Sequence, residues 1–219
     1  DLMQFLYYCE KIKFYNDLKS IDVQYDISKL PFCYGYIYNY DIDFIANELM
    51  NNKINILEKI IGEFLVIFQK ENKVYFINDK LGKKEIYYYY DDYNFLVSNN
   101  LWVLLKKMQD LNISVSIDYQ NVKESLCFVY PLFNETIIKN IFYLPPSSYF
   151  IYDLNNKKLK KSQYWDYHLE KNDLSEEEKL KIFDEKIKDL FNFIRNKYQN
   201  KKYGMAISGG LDSRLLPLY

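Results

Sequence analysis

GEFLVIFQKENKVYFINDKLGKKEIYYYYDDYNFLVS, residues 62–98, reads as two β-hairpins in succession. Apolar and β-branched residues flank the polar stretch Lys70–Lys73, and a second pair of apolar runs turns at Asp91–Asn94. Short apolar runs bounded by polar turn residues are strand signals. Around this centre the period changes. IDFIANELMNN, NILEKIIG and NLWVLLKKM carry apolar residues at helical spacing, and SIDYQNVKESLCFVY reads as a helix capped by Asp118. YLPPSSYFIYDLNNKKLKKSQYW gives two further strands around a turn at Leu154–Lys158. From Asp1 to about Phe150 the chain is therefore mostly short strands with interspersed helices, an α+β pattern.

The pattern changes at Asn172. DLSEEEKLKIFDEKIKDLFNFIRNKYQN opens with Ser175-x-x-Glu178, a capping box, and sets Phe183, Ile187, Leu190, Phe191 and Ile194 on one face of a long helix. The expected role of that face is packing over the start of a new unit. KKYGMAI then reads as a buried strand, followed directly by SGGLDS. A boundary at Lys171–Leu174 divides the chain into 1–171 and 172–219, the second part being the truncated start of an α/β domain.

Composition bounds the function. Apolar residues make up 49% and charged residues 27% of the 219, enough for a buried core and too apolar for bulk disorder. The net charge of −1 argues against a broad nucleic-acid footprint. The lysine runs Lys157–Lys161 and Lys201–Lys202 are short and read as solvated turns. The 24 tyrosines and 15 phenylalanines fit half-buried sheet surfaces better than a dedicated aromatic binding surface. Cys9, Cys33 and Cys127 are odd in number and widely spaced, as in reduced, partly buried thiols of a cytoplasmic protein. The longest apolar run, IIGEFLVIF, is too short to cross a bilayer and contains Glu63. No signal peptide is read at the start, which is not a methionine, so residues are expected upstream.

SGGLDS is notable in a chain with six glycines. A glycine turn between a strand and a helix lets backbone approach an anion, converges amide N–H groups on it and adds the helix dipole. Ser208 and Ser213 add hydroxyl donors; Asp212 beside a phosphate requires a divalent cation between them, as in Mg-bound nucleotide. The structural alternative is a helix N-cap by Ser208 or Asp212 after a tight turn. The Walker ending and the G-x-G-x-x-G spacing are both absent.

SGGLDS after a buried strand resembles the PP-loop of ATP pyrophosphatases, a group that includes asparagine synthetases, GMP and NAD synthetases, argininosuccinate synthetase and several tRNA-modifying enzymes. The rest of the chain narrows this. Gly62, Phe64, Asp79, Leu81, Gly82, Lys84, Tyr87, Tyr88 and Ser98 fall on positions similar to the glutaminase domain of asparagine synthetases. So do Thr136, Ile141, Leu144, Pro145, Pro146 and the pair Tyr164–Trp165. The resemblance spans about residues 34–219. It implies an N-terminal-nucleophile-hydrolase-like sandwich of antiparallel sheets with helices, followed by an adenine-nucleotide α-hydrolase-like parallel-sheet domain.

Four departures qualify it. That family's glutaminase uses an N-terminal cysteine, whose free amine acts as base; this chain starts with Asp1, and Cys9 lies inside QFLYYCEKI. The family segment NGEIYNY is represented by YGYIYNY, residues 34–40, in which Gly35, Ile37, Tyr38, Asn39 and Tyr40 match. Tyr34 stands where the family has the oxyanion-stabilising Asn, and Tyr36 where it has a Glu that holds glutamine. The family's Ser-Asp-x-Glu segment is not found. The first domain is therefore expected to be a scaffold without glutaminase activity. Fourth, Arg214 replaces a serine that commonly follows the loop and is expected to pair on the helix surface rather than reach phosphate. Pro217 falls near the first helical turn, where it is tolerated.

The resemblance then implies ATP-dependent amide-bond formation through carboxylate adenylation, releasing AMP and pyrophosphate. Ammonia or an amine of the substrate would replace glutamine, as in the β-lactam synthetases and lasso-peptide cyclases similar to this family. Ser208, Gly209, Gly210, Leu211, Asp212 and Ser213 would line the phosphates, Asp212 would hold Mg2+, and Ile207 would lie near the adenine. No catalytic residue of the synthetase half falls within this segment, which is expected to be inactive by itself. Expected partners are a small-molecule or peptide carboxylate and, as an assembly, a second copy in a homodimer; neither nucleic acid nor membrane is expected. The alternative is a non-catalytic relative acting as a structural or regulatory partner, and a tRNA thiolase is disfavoured by the first domain and the balanced charge.

Overall fold

The computed structural model describes residues 4–8, 11–16, 19–26, 31–51, 53–169, 171–202 and 204–218. Two compact units are present, Asp1–Tyr167 and His168–Tyr219.

In the first unit the strands are β1 (Gln4–Tyr8), β2 (Lys11–Asn16), β3 (Lys19–Asp26), β4 (Phe32–Ile37), β5 (Gly62–Lys70), β6 (Lys73–Asn78), β7 (Tyr87–Tyr90), β8 (Phe95–Ser98), β9 (Ile141–Tyr143), β10 (Ser148–Asp153) and β11 (Lys158–Gln163). The helices are α1 (Ile42–Met50), α2 (Leu101–Asp110) and α3 (Tyr119–Phe128), with a 3-10 turn at Ile54–Lys59. The strands form a six-stranded sheet, β3-β2-β1-β8-β7-β9, and a five-stranded sheet, β11-β10-β6-β5-β4. Every strand pairing in both is antiparallel.

Alternation along the strands builds four layers. Leu65 and Ile67 of β5 share one buried cluster with Phe5 and Tyr7 of β1, Phe95 and Val97 of β8 and Phe150 of β10, so the two sheets face each other. Phe64, Val66 and Phe68 point the other way and pack with Ile45 and Leu49 of α1 and with Leu57. Leu96 of β8 points away from the opposing sheet and packs with Leu104 and Met108 of α2. Both faces of β5 are buried, which is why FLVIF is apolar throughout instead of alternating. Much of the aromatic content lies between the sheets, where Tyr7–Phe76 and Tyr88–Phe150 meet edge to face at 4.9 and 5.2 Å. This is the sandwich of two antiparallel sheets with helices that the resemblance implied.

Both hairpins centred on residues 62–98 form with the expected turns, and Glu71 takes a positive φ of 53° in the first. Asp118 caps α3 by accepting from the amides of Gln120 and Asn121 at 2.9 and 3.2 Å. Two expectations are corrected. NILEKIIG makes only the 3-10 turn, because Ile61 is drawn to the sheet: its amide donates to Asn39 Oδ1 and its carbonyl accepts from the Tyr38 amide. The lysine run 157–161 is not merely a turn, since Lys158, Lys160 and Lys161 lie on β11, an edge of the five-stranded sheet.

The second unit contains α4 (Glu176–Lys197), the short α5 (Leu211–Leu215) and a 3-10 turn at Leu216–Leu218 that holds Pro217. The capping box is present in both directions: Ser175 Oγ accepts from the Glu178 amide, and Glu178 accepts from the Ser175 amide at 2.8 Å. The apolar face of α4 is on one side as read, but no residue of the helix is buried, and Phe183 is 55% exposed. The strand expected over KKYGMAI does not form: residues 204–207 are irregular and exposed, and Tyr203 lies outside the described residues. A strand needs a neighbour for its backbone N–H and C=O groups, and among the described residues this unit has no strand to supply one. No helix among the described residues is long and apolar enough to cross a membrane.

Candidate functional site

Two places carry the residues singled out by sequence. The first is the end of β4. Gly35 pairs with Phe64 across β4–β5 and takes φ +106°, and a Cβ there would lie 2.0 Å from the Glu63 carbonyl oxygen. The missing side chain leaves room for Lys84, whose Cε passes 3.0 Å from that Cβ position. Lys84 Nζ reaches Glu63 Oε2 at 3.5 Å and lies 5.9 Å from the ring centres of both Tyr34 and Tyr36. Tyr34 is half-buried against Phe5, while Tyr36 is 63% exposed. Asn39 staples the segment down, donating to the Lys59 carbonyl and accepting from the Ile61 amide at 2.8 and 2.9 Å. The chemistry at positions 34 and 36 is thus two phenol rings beside an ion pair. Neither position offers an amide donor or a carboxylate.

Neither of the two described cysteines adds a nucleophile here. Cys33 is half-buried on β4, where burial pushes its thiol up to about 11. Cys127 is exposed at the end of α3. Asp1 and Cys9 lie outside the described residues. Among those described, no group of three His, Cys, Asp or Glu side chains is arranged to hold a metal ion.

Next to the β4 end stands a junction built on Asp79, which is 1% exposed. Its carboxylate accepts from the amides of Phe64 (3.2 Å), Leu81 (2.9 Å) and Lys83 (3.1 Å). Its backbone carbonyl accepts from Gly82 and Ser147. Asn78 Nδ2 donates to the carbonyls of Leu144 and Pro145, and the Tyr164 hydroxyl donates to the Asn78 carbonyl at 2.7 Å. Burial first, and then the charge of Asp79, push that hydroxyl's pKa upward. These matched positions hold the fold together: they tie the β5–β6 hairpin to the Leu144–Ser148 turn and to Tyr164.

The second place is the loop 207–213. Ser208 and Ser213 hydroxyls lie 2.9 Å apart, the Ser208 amide donates to Ser213 Oγ at 3.0 Å, and the Gly210 amide donates to Ser208 Oγ at 3.2 Å. The two serines thus clasp the turn, with Gly209 and Gly210 at its crown. A Cβ on Gly209 would meet nothing within 4 Å, and on Gly210 only Ser208 Oγ at 3.5 Å. Neither glycine is among the described residues with positive φ. Asp212 is exposed in the first turn of α5 and makes no hydrogen bond or ion pair among the described residues. Ile207 and Leu211 are 60% and 81% exposed. Arg214 makes no ion pair among the described residues, so the surface pairing expected for it is absent.

Sequence reading missed the Lys84–Glu63 pair at Gly35 and the cleft beside Pro145. The Lys84–Glu63 pair depends on the connection after β6 laying Lys84 against Gly35 and Glu63 of the β4–β5 pair, a placement that only the fold supplies.

Comparison with known proteins gives three findings. A family model described as "Glutamine amidotransferase domain" matches residues 34–165. A curated protein of Methanocaldococcus jannaschii, named "Putative asparagine synthetase (glutamine-hydrolyzing) 2", is 27% identical over 151 residues, covering 68% of this chain. The chain spans 28% of that relative's length. A solved glutamine phosphoribosylpyrophosphate amidotransferase from B. subtilis, complexed with ADP and GMP, aligns with a TM-score of 0.33 at 9% identity, over 75% of this chain and 32% of that one.

Proposed function

The chain belongs to the glutamine amidotransferase domain family, and from that premise we propose that it is part of an asparagine synthetase-like ligase whose amidotransferase domain no longer uses glutamine. In this reading residues 1–171 are the scaffold and residues 172–219 begin an ATP-pyrophosphatase domain with a parallel sheet. A carboxylate oxygen of the substrate attacks the α-phosphorus of ATP, the bond to pyrophosphate breaks, and an acyl-adenylate forms. Ammonia or a substrate amine then attacks the acyl carbon; the C–N bond forms, AMP leaves, and the nitrogen loses a proton to solvent or base.

The observation that carries the nucleotide part is the loop at Gly209 and Gly210. Among the described residues neither φ nor packing requires glycine at either position, so these residues supply no structural reason for two of the chain's six glycines to sit there. Close approach of a phosphate to bare backbone is a reason. Ser208 and Ser213 would add hydroxyl donors, Leu211 would complete the turn and Ile207 would border the adenine. Asp212 fits a magnesium ion because it is a single unpartnered carboxylate, and Mg2+ commonly binds through one or two carboxylates plus substrate phosphates. When bound, the ion would offset phosphate charge. The loss of glutamine use rests on Tyr34 and Tyr36, since a site without its carboxamide donor loses about 3–4 kcal/mol of transition-state stabilisation.

The test is product analysis on the full-length protein with ATP, Mg2+ and a panel of carboxylates. Equimolar AMP and pyrophosphate, dependent on the carboxylate and supported by ammonium or an amine but not by glutamine, is expected; Asp212→Ala should lower the rate at least about 100-fold. Glutamate release from glutamine that is abolished by replacing one cysteine would overturn the scaffold reading. Absence of any ATP binding would leave the family member a non-catalytic partner.

A further inference from the structure

The proposed chemistry makes no use of the cleft beside the Pro145–Pro146 turn, which encloses about 640 Å³ within the first unit. That volume lies in the range of small-molecule sites. We propose that it binds a planar aromatic anion: a flat ring carrying a phosphate or carboxylate.

The lining separates into a flat apolar part and a cationic part. Trp165 and Tyr167 stand edge to face at 6.1 Å and 84°, and with Pro146 they offer ring-sized surface. Lys80 and Lys161 supply the charge. Lys80 Nζ lies 5.4 Å from the centre of the Trp165 ring. Lys161 Nζ accompanies three rings, those of Tyr88, Phe142 and Phe150, at 4.9–5.7 Å, and donates to the Tyr88 hydroxyl at 2.9 Å. Neither lysine has a carboxylate partner among the described residues. The one acidic residue in the lining, Asp166, accepts from the Tyr167 amide at 2.8 Å and is held by its own turn. Two unpaired ammonium groups backed by rings favour an anion, and the adjoining indole and phenol favour that anion on a planar group.

The site is also held in place. Ser147 Oγ donates to the Lys80 carbonyl at 2.8 Å, Gln163 Nε2 donates to the Trp165 carbonyl at 3.0 Å, and the neighbouring Asp79 junction fixes the loop that carries Lys80. Backbone fixed before binding adds no ordering cost on association. None of these residues is in the loop 207–213, so this site stands or falls separately from the proposed phosphate turn.

The chain has two tryptophans, Trp102 and Trp165, and Trp102→Phe leaves Trp165 as the sole indole reporter. Titrated with AMP and with salicylate, the Trp102→Phe protein should show saturable quenching. Adenosine and inorganic phosphate, each lacking half of the chemistry, should bind at least about tenfold more weakly, a difference of about 1.4 kcal/mol. Lys80→Met and Lys161→Met keep the apolar stems and remove the charges; each should weaken AMP about five- to tenfold. Lys80→Met decides the matter if Lys161→Met disturbs the fold, which thermal melting by circular dichroism reveals. Asp212→Ala should leave the Trp165 response intact. No saturable response to either anion below about 10 mM, adenosine binding as tightly as AMP, indifference to Lys80→Met, or loss of the response in Asp212→Ala would each overturn the assignment.

Discussion

Asp79 and Asp212 each stand in a short turn with Leu and Gly, Asp-Lys-Leu-Gly at 79–82 and Gly-Gly-Leu-Asp at 209–212, and the fold treats them in opposite ways. Asp79 is buried and surrounded by amides that it satisfies, and Gly82 takes φ +60° to close the turn around it. Asp212 is exposed and has no partner among the described residues, while its glycines adopt no conformation that requires glycine. The same residue types therefore hold structure in one unit and remain available to a ligand in the other. A motif's composition does not say which of these it is. The donors that reach the carboxylate do.

Substitutions can break or sharpen this contrast. Asp79→Ala should have the largest effect: it strands the buried Phe64 amide and the part-buried Leu81 and Lys83 amides at once, and we expect a loss of about 4 kcal/mol in urea unfolding followed by tyrosine fluorescence. A loss under about 1 kcal/mol would mean that Asp79 is not the organising group. Gly35→Ala should cost about 3 kcal/mol, from the clash with the Glu63 carbonyl and the strained φ. In the second unit, Ser175→Ala should lower helicity over 176–197 and cost about 1 kcal/mol in local stability.

That cap is also pH-dependent. The Ser175 amide and then its hydroxyl hold the Glu178 carboxyl below its ordinary value. A carboxyl depressed in the folded state stabilises above its unfolded pKa and ceases to as pH falls through the folded one. Helix ellipticity at 222 nm should therefore fall on acidification below the ordinary glutamate range of about 4.3, and less so in Glu178→Gln. Smallest of all, Gly209→Ala should change stability by less than about 0.5 kcal/mol, because its Cβ would enter open space. A larger cost would show that the fold does use the crown of this turn and would weaken the contrast with Asp79.

Much of the local structure in both units was legible because its signals are local. Turns at Lys70–Lys73 and Asp91–Asn94, the Asp118 cap and the Ser175 capping box need only a few consecutive residues, and each forms as read. Expectations that depended on distant partners fared less well. The helical spacing of NILEKIIG gave way to contacts of Ile61 with Tyr38 and Asn39, distant upstream in the sequence and adjacent in space. The strand at KKYGMAI has no neighbour among the described residues to complete it. At the β4 end, substitution of two polar residues by Tyr34 and Tyr36 was visible in the sequence. The placement of Lys84 across Gly35 was not, because it arises from the connection between β6 and β7 meeting the β4–β5 pair.

The lysines of β11 bear on what happens between molecules. Any open edge of a sheet invites the same edge of another copy to extend it. Lys158 and Lys160 are exposed along this edge, so two chains meeting there would oppose like charges while their backbones began to pair. Such growth is kinetically discouraged in dilute buffer and released as salt shortens the screening length to about 3 Å near 1 M. Precipitation of this domain should therefore be governed by ionic strength before temperature.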